Sequence, residues 1–138
     1  MIAIVCSVIL AYAAAFHFYW GFGGKFGVEV SLPQLDNGQP AFKQTAIGAH
    51  LVGLILVGFI VIVLSYSSFI SLPISSKYLR FCVGALSLIF IARAISWHKY
   101  VGLFKSVRST KFAHYDTWQY SPLSLIIGLG LAYECIKP

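Results

Sequence analysis

From Thr45 to Tyr66 the chain carries no charged side chain, and from Ile2 to Trp20 it carries none either. A helix that crosses the hydrocarbon core of a bilayer needs about 20 mostly apolar residues, and each stretch supplies that length. Two further runs extend the pattern. Leu79 to Trp97 is apolar except for Arg80 near one end and Arg93 near the other. The last apolar run, Leu123 to Ile136, is entered through Ser121-Pro122, which reads as a capping serine followed by a proline in the first turn. Over the whole chain 59% of residues are hydrophobic and 10% charged, where a soluble domain averages about a quarter charged. A domain of 138 residues has too little interior to hide that surplus. The expectation is an all-α integral membrane four-helix bundle, a single transmembrane domain over 1–138 with spans near 2–20, 45–66, 79–97 and 121–137. Met1 leads straight into IAIVCSVILAYAAAF, with no basic leader and no cleavage-like site, so no cleavable signal peptide is expected.

The connections divide into two kinds. Loop one (21–44) and loop three (98–120) are long and rich in aromatic and polar residues, whereas loop two (67–78) is a short serine-rich turn around Pro73. The two long loops are expected on one membrane face. That side collects Lys25, Lys43, Arg93, Lys99, Lys105, Arg108 and Lys111, while the other holds Lys77, Arg80 and Lys137. Cations favour the cytoplasmic side, so the predicted location is the cell (inner) membrane, multi-pass, with loops one and three cytoplasmic and both termini outside. The net charge of +6 lies in these loops rather than on a basic helix, which points to a lipid surface and not to nucleic acid. Cys6, Cys82 and Cys135 lie in three separate apolar runs without paired spacing and read as small buried residues.

Small residues recur every fourth position. Ala3, Ser7, Ala11 and Ala15 form one ridge, Thr45, Ala49 and Gly53 a second, and Ser124, Gly128 and Ala132 a third. Such ridges let backbones approach closely in lipid, where no hydrophobic force draws helices together. They predict a compact bundle or a homo-oligomeric contact, and spacing does not separate the two.

Ionisable residues inside spans are costly and mark functional sites by default. His17, His50 and Arg93 all fall near the end that carries loops one and three. By helical periodicity His17 shares a face with Ala13 and Trp20, His50 with Ala46, Gly53 and Val57, and Arg93 with Leu86, Ile89, Ser96, Trp97 and Tyr100. If the faces converge, two imidazoles and a guanidinium meet beneath the long loops. Asp116, the only acid of loop three, would neutralise Arg93 or orient a histidine, and Lys25 follows two glycines suited to a sharp turn. The candidate ligand site is therefore His17, Trp20, Lys25, His50, Arg93, Trp97, Tyr100, Asp116 and Tyr120. Several of its aromatics also have the placement of an ordinary interfacial belt.

The stretch His17-Phe18-Tyr19-Trp20-Gly21-Phe22-Gly23-Gly24-Lys25-Phe26-Gly27 with Leu32-Pro33 resembles the opening signature of a bacterial family known as domain of unknown function 3995. Ala92-Arg93-Ala94-Ile95, Tyr100 to Lys105, Phe112-Ala113, Asp116-Thr117 and Tyr120-Ser121-Pro122-Leu123 resemble the remainder, and Trp97-His98-Lys99 departs from it. The resemblance implies a small four-span membrane protein and assigns no activity.

Four functions fit these residues. The first is a site for a small amphipathic or anionic ligand, lipid-like or a metabolite: Arg93 and Lys25 would hold the head, aromatics would line an apolar throat, and histidines would bond or shuttle protons. No metalloprotease motif, nucleophile elbow or carboxylate dyad accompanies it, so whether the protein is an enzyme stays open and no catalytic residue or metal is assigned. The second is a partner-binding membrane protein, an immunity or assembly factor that needs no ligand. The third is a transporter or channel subunit. The fourth is a haem held by His17 and His50; no other cofactor is expected.

Overall fold

A computed structural model describes residues 1–137. It is all-α, with helices α1 (Ile2–Gly21), α2 (Val28–Ser31), α3 (Ala46–Tyr66), α4 (Ser76–Ala94), α5 (Lys111–Tyr115) and α6 (Ser121–Ile136), and a π-helical turn, Asp116–Tyr120, between the last two. The four long helices run up and down and pack in a ring, α1 on α3, α3 on α4, α4 on α6 and α6 back on α1. Leu10, Leu56, Val63, Val83, Ile127 and Leu131 fill the centre. Loops one and three meet at one end of the ring. Met1, the α3–α4 turn and the end of α6 gather at the other, where the Tyr66 hydroxyl donates to the Glu134 carbonyl at 3.3 Å.

Two helices, Ile2–Gly21 and Ala46–Tyr66, are long and apolar enough to cross a membrane. The other two are less so: α4 carries Lys77, Arg80 and Arg93, and α6 has 16 residues. Large apolar residues including Val8, Leu54, Ile55, Phe81, Leu88 and Leu129 point outward from all four.

The third long helix is displaced from its expected position, starting at Ser76 rather than Leu79 and ending at Ala94 rather than Trp97. It ends early because loop three folds back and the Leu103 N–H donates to the Ala94 carbonyl at 2.8 Å, supplying a partner that another helical turn would have supplied. The start of α6 is a larger correction. Ser121 is not a cap. It lies inside a helical run that begins at Lys111, and the cap is Thr110, whose hydroxyl accepts from the Ala113 N–H at 3.1 Å. Pro122 has no N–H to give the carbonyl four residues back. The wider π turn absorbs that defect, with the Ser121 N–H reaching the Asp116 carbonyl instead.

The small-residue ridges are mostly consumed within the chain. Gly53 lies under the Phe18 ring, joining α1 to α3, and Gly128 lies against Ile91 and the Ser87 carbonyl, joining α4 to α6. The Ser87 hydroxyl donates to the Gly128 carbonyl at 2.7 Å across the same contact. On α1 the ridge divides, with Ala3 and Ser7 buried and Ala11 and Ala15 exposed. Cys6 is buried, Cys82 and Cys135 are half-buried, and all three are free thiols.

A Cβ at Gly128 would lie 2.6 Å from Ile91 Cγ1 and 2.9 Å from its backbone nitrogen, so the helices must separate to admit it. Gly128→Ala should cost about 1–3 kcal/mol, the usual range for overpacking. Gly84→Ala, whose Cβ meets only Cys135 Sγ at 3.9 Å, should stabilise α4 by about 0.5–1 kcal/mol. Unfolding of both variants in detergent measures the contrast.

Candidate functional site

Where α4 ends, loop three wraps around one carboxylate. Asp116 is fully buried and receives three donors: Arg93 Nη2 at 2.7 Å on Oδ1, and Lys105 Nζ at 3.0 Å and the Gly102 N–H at 2.9 Å on Oδ2. Lys105 is 1% exposed, and its ammonium commits all three protons, to Asp116, to the Gly102 carbonyl at 3.1 Å and to Thr117 Oγ1 at 2.6 Å. The Thr117 hydroxyl passes its own proton to the Ala113 carbonyl at 3.0 Å. Gly102 is required for this wrap: its φ is +98°, and a Cβ would lie 2.5 Å from the Ser96 carbonyl oxygen.

Arg93 differs from Lys105. It spends one N–H on Asp116 and one on Ser121 Oγ at 3.1 Å, and its side chain is 31% exposed. A guanidinium has five N–H donors, so most of its capacity is uncommitted. One carboxylate facing two cations leaves the centre with one surplus positive charge. Burial pulls the Asp116 pKa upward, but the Arg93 charge and hydrogen bond, with those from Lys105 and Gly102, hold it below the usual carboxylate range.

Loop one is clamped over this centre by two neutral side chains. Gln34 is buried, donates to the Glu29 carbonyl at 3.0 Å and accepts from the Phe112 N–H at 3.0 Å. Tyr120 donates to the Val30 carbonyl at 3.0 Å and packs beside Phe112 and Tyr115. Burial pushes its phenol up to about 12. Two exposed ion pairs add little: Glu29 to Lys111 at 3.6 Å and Asp36 to Lys99 at 3.4 Å.

The histidines stand apart from the carboxylate. His17 Nδ1 lies 2.8 Å from the Ala13 carbonyl and His50 Nδ1 2.8 Å from the Ala46 carbonyl, each on its own helix. A carbonyl only accepts, so in each ring the proton sits on Nδ1. The His17 ring packs on Trp20, whereas the His50 ring packs between Phe18 and Phe22 and directly over Gly21. Among the described residues neither imidazole shares a hydrogen bond with Arg93 or Asp116. Phe18 lies against His50 on one side and over Gly53 on α3.

The remaining candidate residues scatter over the same end. Trp20 Nε1 donates to the Phe26 carbonyl at 2.8 Å and pins the glycine-rich loop. Lys25 is exposed at the tip of that loop. Trp97 is exposed and stacks on Phe104 with ring centroids 5.7 Å apart, and the Lys99 ammonium lies 5.2 Å from the Tyr100 ring. Two clefts open elsewhere, one of about 340 Å³ at the opposite end beside Tyr66 and Glu134 and one of about 400 Å³ between Gln34 and Thr110; neither includes a residue predicted for the site.

Sequence reasoning missed Lys105 and Gln34. Lys105 was counted among the cations that orient the chain. With it and Arg93 assigned to the buried centre, the asymmetry narrows from seven against three to five against three. The available signal was its setting in Val101-Gly102-Leu103-Phe104-Lys105, a lysine ending an apolar run.

Residues 10–131 match the model of the family described as "Protein of unknown function (DUF3995)", and the chain belongs to that family. No curated protein and no solved structure matches it.

Asp116→Asn should cost about 3–5 kcal/mol, because it leaves a buried ammonium without its counter-charge. Lys105→Met should cost less, since Asp116 keeps Arg93 and the Gly102 N–H. Unfolding in detergent ranks the two. The pH profile has a fixed sign. A depressed carboxyl contributes fully above its unfolded pKa of about 4 and loses that contribution as pH falls toward the folded value, so the wild type should weaken below about pH 4 and Asp116→Asn should lack that limb. Tyr120 acts at the other extreme. Its raised pKa contributes below about 10 and is lost as pH rises to about 12, so Tyr120→Phe should remove part of the alkaline decline.

Proposed function

We propose that the chain is a four-span membrane protein that binds the anionic head of an amphipathic, lipid-like molecule at Arg93, at the end carrying loops one and three. One observation carries the reading: two cations share the buried Asp116, and the guanidinium that supplies the surplus charge is 31% exposed with N–H groups to spare. A planar guanidinium suits a phosphate or carboxylate because it presents paired donors. Asp116 and Ser121 fix its orientation, so less side-chain freedom is lost when a ligand arrives.

The apolar part of the ligand has a surface to follow. Ile89 is exposed one turn before Arg93 on α4, and Trp97 is exposed just beyond the end of that helix. The two open clefts lie away from Arg93, which favours a ligand held along the lipid-facing side of α4 over a metabolite in an enclosed pocket. Binding has more support than proton transfer, since both imidazoles are tied to their own helices and are not joined to the carboxylate. The span reading rests on the two membrane-length helices and on the apolar outer faces of all four.

Native mass spectrometry of the detergent-solubilised protein, titrated with phosphatidylglycerol or phosphatidylcholine, tests this. The wild type should retain phosphatidylglycerol in preference to phosphatidylcholine. Arg93→Gln should weaken the anionic lipid about 10- to 100-fold, the loss expected for a charge-assisted hydrogen bond of about 1.5–3 kcal/mol. Arg93→Lys should recover part of it. Equal retention by folded wild type and Arg93→Gln would overturn the proposal and favour a protein that works through partner contacts.

A further inference from the structure

The glycine-rich segment after α1 takes no part in the Arg93 centre, yet it is among the most tightly specified pieces of the chain. The Gly23 and Gly24 N–H groups donate to the Trp20 and Tyr19 carbonyls at 3.0 and 2.9 Å. The Trp20 indole donates to the Phe26 carbonyl at 2.8 Å. Gly23 and Gly27 have φ of +91° and +75°, and a Cβ on Gly24 would enter the Tyr19 ring. Two backbone bonds, one indole bond and two left-handed glycines define this turn.

This turn presents two phenyl rings outward. Phe22 is 82% exposed and Phe26 74% exposed, with exposed Lys25 beside Phe26. Neither phenylalanine is needed to close the loop, because its ties are backbone groups and the Tyr19 and Trp20 side chains. The Phe22 ring stands at right angles to the His50 ring, with centroids 4.7 Å apart. Turning two phenyl groups outward is unfavourable in water.

We infer that Phe22, Lys25 and Phe26 form a membrane-interface anchor, with the two rings inserted at the boundary between acyl chains and headgroups and the ammonium set against anionic lipid phosphates. The inference rests on the span reading above. Two features favour lipid over another protein. α1 has 20 residues, which at 1.5 Å per residue gives about 30 Å, the thickness of the hydrocarbon core. A helix that begins at one interface therefore delivers this loop to the other. The charge also matches. No acid lies between Gly21 and Val28, and the exposed acids nearest in sequence, Glu29 and Asp36, are paired with Lys111 and Lys99. Apolar rings with a flanking cation and no anion suit an anionic leaflet.

Photocrosslinking in nanodiscs tests it. The full chain carries p-benzoylphenylalanine in place of Phe26, or in place of Val57 on the exposed face of α3 as a control, and adducts are read by mass. Lipid adducts at both positions are expected. Lys25→Glu should lower the yield at position 26 in discs containing phosphatidylglycerol and leave it unchanged in pure phosphatidylcholine. Lipid adducts at Val57 with none at 26 would place the loop in water and overturn the anchor while the spans stand. Protein adducts at 26 would assign the rings to a partner and overturn it too. No lipid adduct at either position would remove the span reading itself.

Discussion

The buried carboxylate of Asp116 organises the end of the molecule that carries its chemistry. Asp116 is the first residue of the π turn, and it binds the last turn of α4 through Arg93 and the middle of loop three through Gly102 and Lys105. A carboxylate with three donors is satisfied within the protein, so the loop does not depend on water to solvate it. Loop one then docks on α5 through Gln34 and on Tyr120. Remove the carboxylate, and a nearly inaccessible ammonium has no counter-charge while two loops lose their common base.

Close contacts at glycines recur in the rest of the bundle. The contacts between α1 and α3 and between α4 and α6 each centre on a glycine, Gly53 beneath Phe18 and Gly128 against Ile91. Were the bundle in lipid, as proposed, the apolar effect would give its helices no reason to associate, and packing contacts would have to supply it. Across α4 and α6 the Ser87 hydroxyl donates at the Gly128 contact, and nearer the loop end the Ser121 hydroxyl accepts from Arg93.

Much of this could be read from the residues, and the failures have physical causes. Apolar runs located the four long helices because their length and lack of charge admit few alternatives. Arg93 and Asp116 were paired as candidates because loop three offers one acid. Lys105 escaped because a loop lysine is ordinarily solvated, and its burial depends on a turn that Gly102 alone permits. Ser121-Pro122 suggested a helix start by the usual rule for proline, and the rule failed because a π turn accommodates the missing donor. Gly23 and Gly24 suggested a sharp turn, and Gly23 makes one at φ +91° while Gly24 also yields to the Tyr19 ring. A glycine registers the need for close approach without naming what approaches.

The two cations at Asp116 mark where stability and function diverge. A clasp between α4 and the π turn needs one counter-charge, and Arg93 already reaches both Asp116 and Ser121. Lys105 adds a second charge in a site with almost no water, where desolvation is costly and the attraction must be shared. Its three bonds offset that cost locally, yet they do not neutralise the centre. The surplus is expressed at Arg93, the only one of the three charged groups with exposed surface and spare donors. A fold that needed only to be held together would be served by the Arg93–Asp116 pair alone. On the reading proposed above, the second cation would act on an anion at the open side of the guanidinium, by keeping Asp116 from cancelling its charge.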